Sequence, residues 1–529
     1  DTLGHVIQNS QNISVSGQFN FVSLYNKSKW LKKINDKAKG RPAKQTTPAR
    51  GAAPKPEKEE EEKDKDKPKF NVLENLARLL MGVRTASLTY SQTNGTLLPG
   101  YGRKTNIVGM DNFGAPGIGF VLGQQNEDIN GEPVRDFATT AAANGWLVRN
   151  ESIFNPYTST RNENITARMS LEPFKGMRIE LNASRTMATS KRSFFRWNED
   201  LGSYVNDSPN ENGSFSVSML TLRTAFVNDD GNAANAVFKE LLQNRRVISG
   251  RIGAENPESA LDPNTGYYTG YGPTNQDVAI PAFIAAYTGQ AADKVKTNPF
   301  KQAPLPNWDI TYDGLTKMEP FSKWFRTFTL KNSYRSNFSV ASFQTNLLYV
   351  PGGSALDAAG NYIPQRQIMV VTIQEAMRPL IGFDATLKNG LLAKIEHNRD
   401  RNLSMSLTNY QVTEARGKEY VFGTGYRFKN VKLPFRLGGA KPPPSDLNIR
   451  VDFSLRENFT VIRLMEQEQN QITAGQKVFS IKASTDYVLN QRLNVRLFYE
   501  RVVNTPLITT SFPSANTNFG ISLRFTLAE

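Results

Sequence analysis

The chain has 529 residues and a formal net charge of +15, from 64 Lys and Arg against 49 Asp and Glu, with no Cys and only two His. Without Cys there is no disulfide, thiolate nucleophile or cysteine-ligated metal, and His5 and His397 alone cannot build a three-histidine metal site. No apolar run reaches the roughly 18 residues of a membrane-spanning helix, and the basic excess comes without a basic helix or an aromatic RNA-binding signature, so nucleic acid is not an expected partner.

From the N-terminus, Ile13, Val15, Phe19 and Phe21 alternate with polar residues and predict a strand, followed by a short amphipathic piece over 24–34. Residues 37–69 contain no apolar side chain larger than Ala or Pro beside their charge blocks and are expected to be a disordered tether. Leu73, Leu76, Leu79 and Leu80 then share a helical face over 72–81. Residues 93–125 are glycine-rich. Gly117, Gly119 and Gly123 have one residue too many for a dinucleotide-binding fingerprint, so a tight loop packed against the inside of a barrel is the expectation.

A hairpin follows: Ile165, Ala167, Met169 and Leu171 turn through 173–176 into Met177, Ile179, Leu181 and Ala183. Residues 228–325 interrupt the alternation and read as a long lumen or surface insertion. Its expected helices are one marked by Val237, Phe238, Leu241 and Leu242 before Arg245–Arg246, and another over 281–287; Tyr267, Tyr268 and Tyr271 read as a self-packed loop.

Alternation then resumes with Phe328, Leu330, Tyr334, Phe338 and Val340, and Asn389–Gly390 is a tight-turn signal between 381–387 and 391–397. Near the end, Leu447, Ile449, Val451, Phe453 and Leu455 alternate with Asn448, Arg450, Asp452, Ser454 and Arg456, and Phe519, Ile521, Leu523 and Phe525 with Gly520, Ser522 and Arg524. The resulting segments are 1–36 (strand and short helix), 37–69 (charged loop), 70–227 (strands), 228–325 (insertion) and 326–529 (strands).

The expected fold is therefore all-β: a large antiparallel transmembrane β-barrel, of which this chain forms a partial wall of about 12–14 strands, each about 9–11 residues long, with short helices and long loops. A soluble two-sheet sandwich has the same alternation, but long strands and aromatics near strand ends favour the barrel. On that reading Arg168, Glu172, Arg450, Asp452, Arg456, Lys482, Asp486, Arg496 and Arg524 face a polar lumen. Phe453, Ile481, Leu497, Phe519, Ile521, Leu523 and Phe525 face lipid. A barrel with its C-terminus in the periplasm makes 504–517 an outside loop and Asn490–Gln491 an inside turn. No catalytic residue, cofactor or metal is expected.

The strings HVIQNSQNISVSGQFNFVSLYN (5–26), TASLTYSQTNGTLLPGY (85–101), APGIGFVLGQQ (115–125), FKELLQNRRVISGRI (238–252) and NFGISLRFTL (518–527) resemble the C-terminal portion of the SprA/Sov family. That family is the outer-membrane translocon of the type IX secretion system, which supports gliding motility in the Bacteroidetes. The resemblance implies one very large barrel whose N-terminal strands lie outside this sequence, which accounts for the missing signal peptide. It implies passive export of folded cargo bearing a type IX sorting signal, with PorV-like and plug partner proteins and the outer-membrane lipid as neighbours. The alternatives are a TonB-dependent receptor or porin-like uptake channel, for which no plug domain or TonB box is visible, and a secreted β-sandwich carbohydrate-active protein, which needs paired carboxylates in a cleft.

Overall fold

The computed structural model describes residues 3–32, 81–125, 136–227, 235–350, 355–432, 444–467, 469–490, 493–508 and 511–525. Fifteen strands join in one antiparallel sheet, as the alternation predicts: β1 (His5–Asn20), β2 (Val83–Tyr101), β3 (Tyr157–Leu171), β4 (Met177–Asn198), β5 (Ser203–Ser218), β6 (Asn307–Tyr312), β7 (Phe325–Thr345), β8 (Arg366–Ile368), β9 (Val370–Leu387), β10 (Leu392–Ser406), β11 (Gln411–Val431), β12 (Ser445–Leu464), β13 (Gln469–Asn490), β14 (Leu493–Pro506) and β15 (Ser514–Phe525). Chain neighbours pair with each other along the main path β1-β2-β3-β4-β5-β7-β9-β10-β11-β12-β13-β14-β15. Among the described residues β1 and β15 each have one partner, so the sheet ends in two open edges.

The strands are longer than the pattern led one to expect. β4 and β13 have 22 residues, β7 and β11 have 21 and β12 has 20, about twice the 9–11 that cross a bilayer. The end of the wall where β15 finishes at Phe525 is called its lower end here. The registers Leu493↔Phe525, Leu447↔Tyr487, Phe428↔Leu447, Leu392↔Gly425 and Phe325↔Leu387 carry that end across the sheet.

β5 and β6 share one lane between β4 and β7. β5 pairs with Arg185–Asn198 of β4, and β6 with Met177–Asn182 below it. Both run downward, so they are one wall strand interrupted between Ser218 and Asn307 by residues 219–306. Exit and return lie side by side: the Leu305 amide donates to the Ser218 carbonyl at 2.9 Å, and the Ser218 hydroxyl to the Leu305 carbonyl at 2.7 Å. The wall thus keeps its continuity, and the insertion begins and ends inside the sheet rather than at its rim, with bounds at 219–306 that start earlier and end earlier than the expected 228–325.

The insertion has its own helices, Ala236–Gly253 and Gln276–Thr288, longer than the pieces expected. The first continues through Arg245–Arg246. Asn235 and Asn275 cap their N-termini, accepting from the Phe238 amide at 2.9 Å and the Asp277 amide at 2.7 Å. Gly289 ends the second helix in the left-handed conformation at φ 68°. Every residue from Val278 to Thr288 is buried, because this helix is sandwiched between Ala236–Gly253 and the wall. Phe283, Ile284 and Leu241 meet Phe215 and Val217 of β5, Phe338 and Val340 of β7, Val371 and Ile373 of β9, Leu403 and Met405 of β10 and Val412 of β11. Each such fully buried side chain contributes about 1.5–3 kcal/mol.

The insertion covers an unexpected face. Along unbroken β10 and β11, the helix-facing Leu403, Met405 and Val412 have the same strand parity as Ile395 and Phe422 below, which are exposed apolar residues of the row expected to meet lipid. The insertion therefore packs on the apolar-row face of the sheet, opposite the polar rows expected to line a lumen. Over β1–β3 the glycine-rich loop does likewise. Asn9 donates to the Phe120 carbonyl at 2.6 Å, and a Cβ on Gly123, at φ 80°, would strike the Gln11 Cβ at 2.3 Å. Asn9 and Gln11 share parity with Ile13 and Val15, so this loop packs on the apolar-row side and not against the inside.

Other boundaries differ too. Residues 93–101, expected in the glycine-rich loop, finish β2. The 504–517 loop shrinks to 507–513, because β14 reaches Pro506 and β15 starts at Ser514. Tyr268 bridges to Leu261 and Tyr271 within the tyrosine loop, while Tyr271 meets Tyr362 of the segment before β8 edge-on with ring centres 5.2 Å apart, so the loop packs on itself and also on a second segment. The charged segment 37–69, positions 72–80 of the helix expected at 72–81, and Gln491 lie outside the described residues.

Candidate functional site

The two faces of the wall are the candidate site. Registers decide which residues share a face, because successive side chains on a strand point to opposite sides. Across the last four strands, Asn448, Asp486, Arg496 and Ser522 form one cross-strand row, and Asp452, Lys482, Glu500 and Asn518 another. Arg450, Arg456 and Arg524 have the same parity. Further along the sheet Arg168 is opposite Asn182, Asn182 opposite Asn307, and Asp400 opposite Gly417 and Ala376, all on this face. Eight of the nine residues expected in the lumen thus share one face of the sheet by strand parity, and the ninth, Glu172, lies just past the end of β3, where it accepts from the Arg84 Nε at 2.9 Å.

That surface carries many paired charges. Lys482 Nζ lies 2.7 Å from Glu500 Oε1, Lys394 Nζ 3.0 Å from Glu396 Oε1, and Arg178 Nε 3.2 Å from Glu180 Oε1. Asp400 receives Arg378 at 2.6 Å and Arg456 at 3.4 Å; Arg450 reaches Asp452 at 3.5 Å and Arg496 reaches Asp486 at 3.7 Å. Lys331–Asp384 and Arg427–Asp446 are further pairs. Solvent screens such pairs, so each adds little stability, but together they keep the surface hydrated and near local neutrality. An open groove of about 520 Å³ on this face is lined by Thr160, Asn162, Ser190, Asn212, Ser214 and Gln344, with no carboxylate, imidazole or amine in its lining. Among the described residues no cluster of His, Asp and Glu is arranged to hold a metal ion, and no helix is long and apolar enough to cross a membrane.

The opposite face divides into two halves. In the lower half Phe453, Leu497, Phe519, Ile521, Leu523 and Phe525 are 38 % to 69 % exposed, and Ile481, the register partner of Phe453, is half-buried. Ile381, Ile395, Tyr420, Phe422, Leu455 and Phe479 extend the same exposed band across β9–β13, and Leu88, Val15 and Phe19 continue it on β2 and β1.

In the upper half the same parity meets the insertion, and there it carries charges that the sequence reading did not single out. Glu375 holds Arg401 at 3.2 Å, and Arg401 also donates to the Thr224 carbonyl at 3.1 Å. Thr221 of the insertion accepts Tyr334 at its hydroxyl, donates its amide to the Tyr334 oxygen at 2.7 Å, and hydrogen-bonds Glu375. Glu414 receives Arg416 Nε at 2.6 Å and Arg463 at 3.4 Å, and Arg416 donates to the Val227 carbonyl at 2.9 Å. These groups are almost fully buried. Burial also pushes the neighbouring Tyr287 hydroxyl far above its ordinary range, so it stays protonated. The signal for this cluster was present in the sequence: ionisable residues falling on the apolar phase of β9–β12.

No family model matches the chain, and no curated protein does. Among solved structures, the beta domain of the Bordetella autotransporter BrkA overlaps it at 8 % identity and a TM-score of 0.21, over 70 % of this chain and 92 % of that one. The RagAB peptide transporter overlaps at 9 % identity and a TM-score of 0.26, over 80 % of this chain and 45 % of that one, so the chain spans less than half the length of the RagAB chain.

Proposed function

We propose that the chain is part of the wall of an outer-membrane protein-conducting channel, the translocon of the type IX secretion system, through which folded cargo leaves the cell and on which gliding motility depends. One observation carries the channel reading: a continuous antiparallel wall has an exposed apolar band on one face and a hydrated, charge-paired surface on the other, the division of labour of a barrel between lipid and an aqueous pore. The two open edges fit a wall continued by further strands. The resemblance of the five long strings to the SprA/Sov family supports the choice of export over uptake.

On this reading Arg168, Glu172, Arg450, Asp452, Arg456, Lys482, Asp486, Arg496 and Arg524 line the pore, while Phe453, Ile481, Leu497, Phe519, Ile521, Leu523 and Phe525 meet lipid. Conduction needs no catalytic residue, since a hydrated wall of paired charges presents cargo with many weak contacts and no tight one. PorV-like and plug partners would control the opening. The test is deletion of the coding segment in its host, with secreted proteins and nutrient uptake measured side by side. Loss of secretion with normal uptake is the expected outcome; loss of uptake with normal secretion overturns export in favour of an import channel.

A further inference from the structure

At the boundary between the two halves of the apolar-row face, one cross-strand row breaks the rule of the wall. Arg399 of β10 is the register partner of Lys418 of β11, Lys418 of Glu457 of β12, and Glu457 of Lys477 of β13. Arg501 of β14 stands on the same face four residues below the end of this row, since Lys477 is opposite Thr505. Three cations and one carboxylate thus occupy four adjacent strands, and Arg501 lies lower, level with Ile481 and Phe453 of the apolar band.

Two like charges directly opposite each other in a sheet repel, and Arg399 and Lys418 are such a pair. Of the carboxylates on this face, Glu375 is held by Arg401 and offsets Arg399 only in part, Glu414 is held by Arg416 and Arg463, and Glu457 stands directly opposite Lys418 without a close ion pair to it. Glu457 lies 3.8 Å from Lys477. Among the described residues no carboxylate pairs with Arg399, Lys418 or Arg501, whereas cations on the polar face largely have partners. Arg399 is half-buried with its guanidinium 5.0 Å from the centre of the Phe226 ring, while Lys418 and Arg501 are exposed.

Position identifies the missing anion. Directly below the row come His397 and Tyr420, stacked with ring centres 4.5 Å apart, and then the exposed Ile395, Phe422, Phe453 and Phe479. Directly above are the buried ion cluster and the helical insertion. A ligand here has an apolar body beside the band and an anionic head against the cations.

We propose that Arg399, Lys418 and Lys477 form a ledge that binds the phosphorylated headgroup of a membrane lipid, in the leaflet on the side of the helical insertion. The excess of cations over the single Glu457 favours a headgroup with more than one phosphate. Such a lipid would offset the Arg399–Lys418 repulsion and seat the insertion on the bilayer surface. This inference rests on the reading of the exposed apolar row as a lipid-facing band.

The test uses the full chain in detergent and diphosphoryl lipid A as the probe, with retained lipid counted by native mass spectrometry against phosphatidylcholine. The expected result is retention of lipid A, reduced at least tenfold in Lys418→Glu/Lys477→Glu and several-fold in the milder Lys418→Gln/Lys477→Gln. Lys482→Glu, on the polar face, is the charge control and should leave retention unchanged. Equal retention by the ledge variants and the parent overturns the ledge, as does an equal loss in the Lys482→Glu control. The underlying reading is tested separately: since the chain has no Cys, Phe453→Cys gives a single thiol, expected in reconstituted bilayers to resist a membrane-impermeant maleimide. A protected thiol with charge-insensitive lipid retention sinks the ledge alone, whereas a freely labelled thiol sinks the band and the ledge with it.

Discussion

The lower and upper halves of the apolar-row face are written in the same two-residue alternation and end in different environments. Below, Phe422, Phe453 and Phe479 stand exposed; above, on the same strands or their neighbours, Leu403, Met405, Val412 and Val461 are sealed under the insertion. The difference is chemical as well as spatial. The lower half is almost free of charge, while the upper half buries Glu375, Arg401, Glu414, Arg416 and Arg463. A band against lipid has nothing to satisfy an ion, but a protein cover supplies carbonyls and hydroxyls, here those of Val227, Thr221 and Thr224. Alternation tells that a face is apolar, and the charges within it tell where another part of the chain lies on it.

This contrast can be broken first at Glu414. Replacing it with Ala leaves Arg416 and Arg463 buried without their carboxylate and is expected to cost about 3–5 kcal/mol. Urea unfolding of the purified chain should show the loss, and hydrogen exchange should rise in residues 236–288 before it rises in the lower strands. Phe283→Ala, which empties a fully buried site in the insertion, tests the same cover without touching charge, with an expected cost of about 3–5 kcal/mol read in the same way.

In the lower half the order of effects should invert with the solvent. Phe422→Arg is expected to cost about 2–4 kcal/mol for folding into a bilayer, the range for a cation placed on the lipid face near the midplane. Ser454→Arg, a neighbour of the polar rows, should change stability by less than about 0.5 kcal/mol. Folding titrations into vesicles measure both, and equal costs at the two positions would erase the distinction between faces. The smallest effect belongs to the polar surface itself: Lys482→Ala removes an exposed pair with Glu500 and should cost about 0.2–1 kcal/mol, shrinking further as salt is raised.

Strand parity was legible from residues alone because side-chain direction along an extended backbone is local. Phe519, Ile521 and Leu523 must point away from Gly520, Ser522 and Arg524 whatever surrounds them. The hairpin turn at Asn389–Gly390 was readable for a similar reason: Gly390 takes φ 92°, and the Leu387 amide closes the turn on the Leu391 carbonyl at 2.8 Å. The lengths of the strands were not readable, because β11 and β12 continue upward as the floor of the insertion, where buried ion pairs and small residues blur the alternation.

What the sequence by itself determined about this protein is the all-β antiparallel class, the two faces and the residues on each, since these follow from a period of two and from turn chemistry at single positions. Only the tertiary structure decided that β5 and β6 are one interrupted strand, that the insertion covers the apolar rather than the polar side, and that Arg399 meets Lys418. Those facts depend on register and on contacts between residues more than a hundred positions apart, such as Thr221 with Glu375 and Arg416 with Val227, whose energies belong to pairs that no local pattern can name.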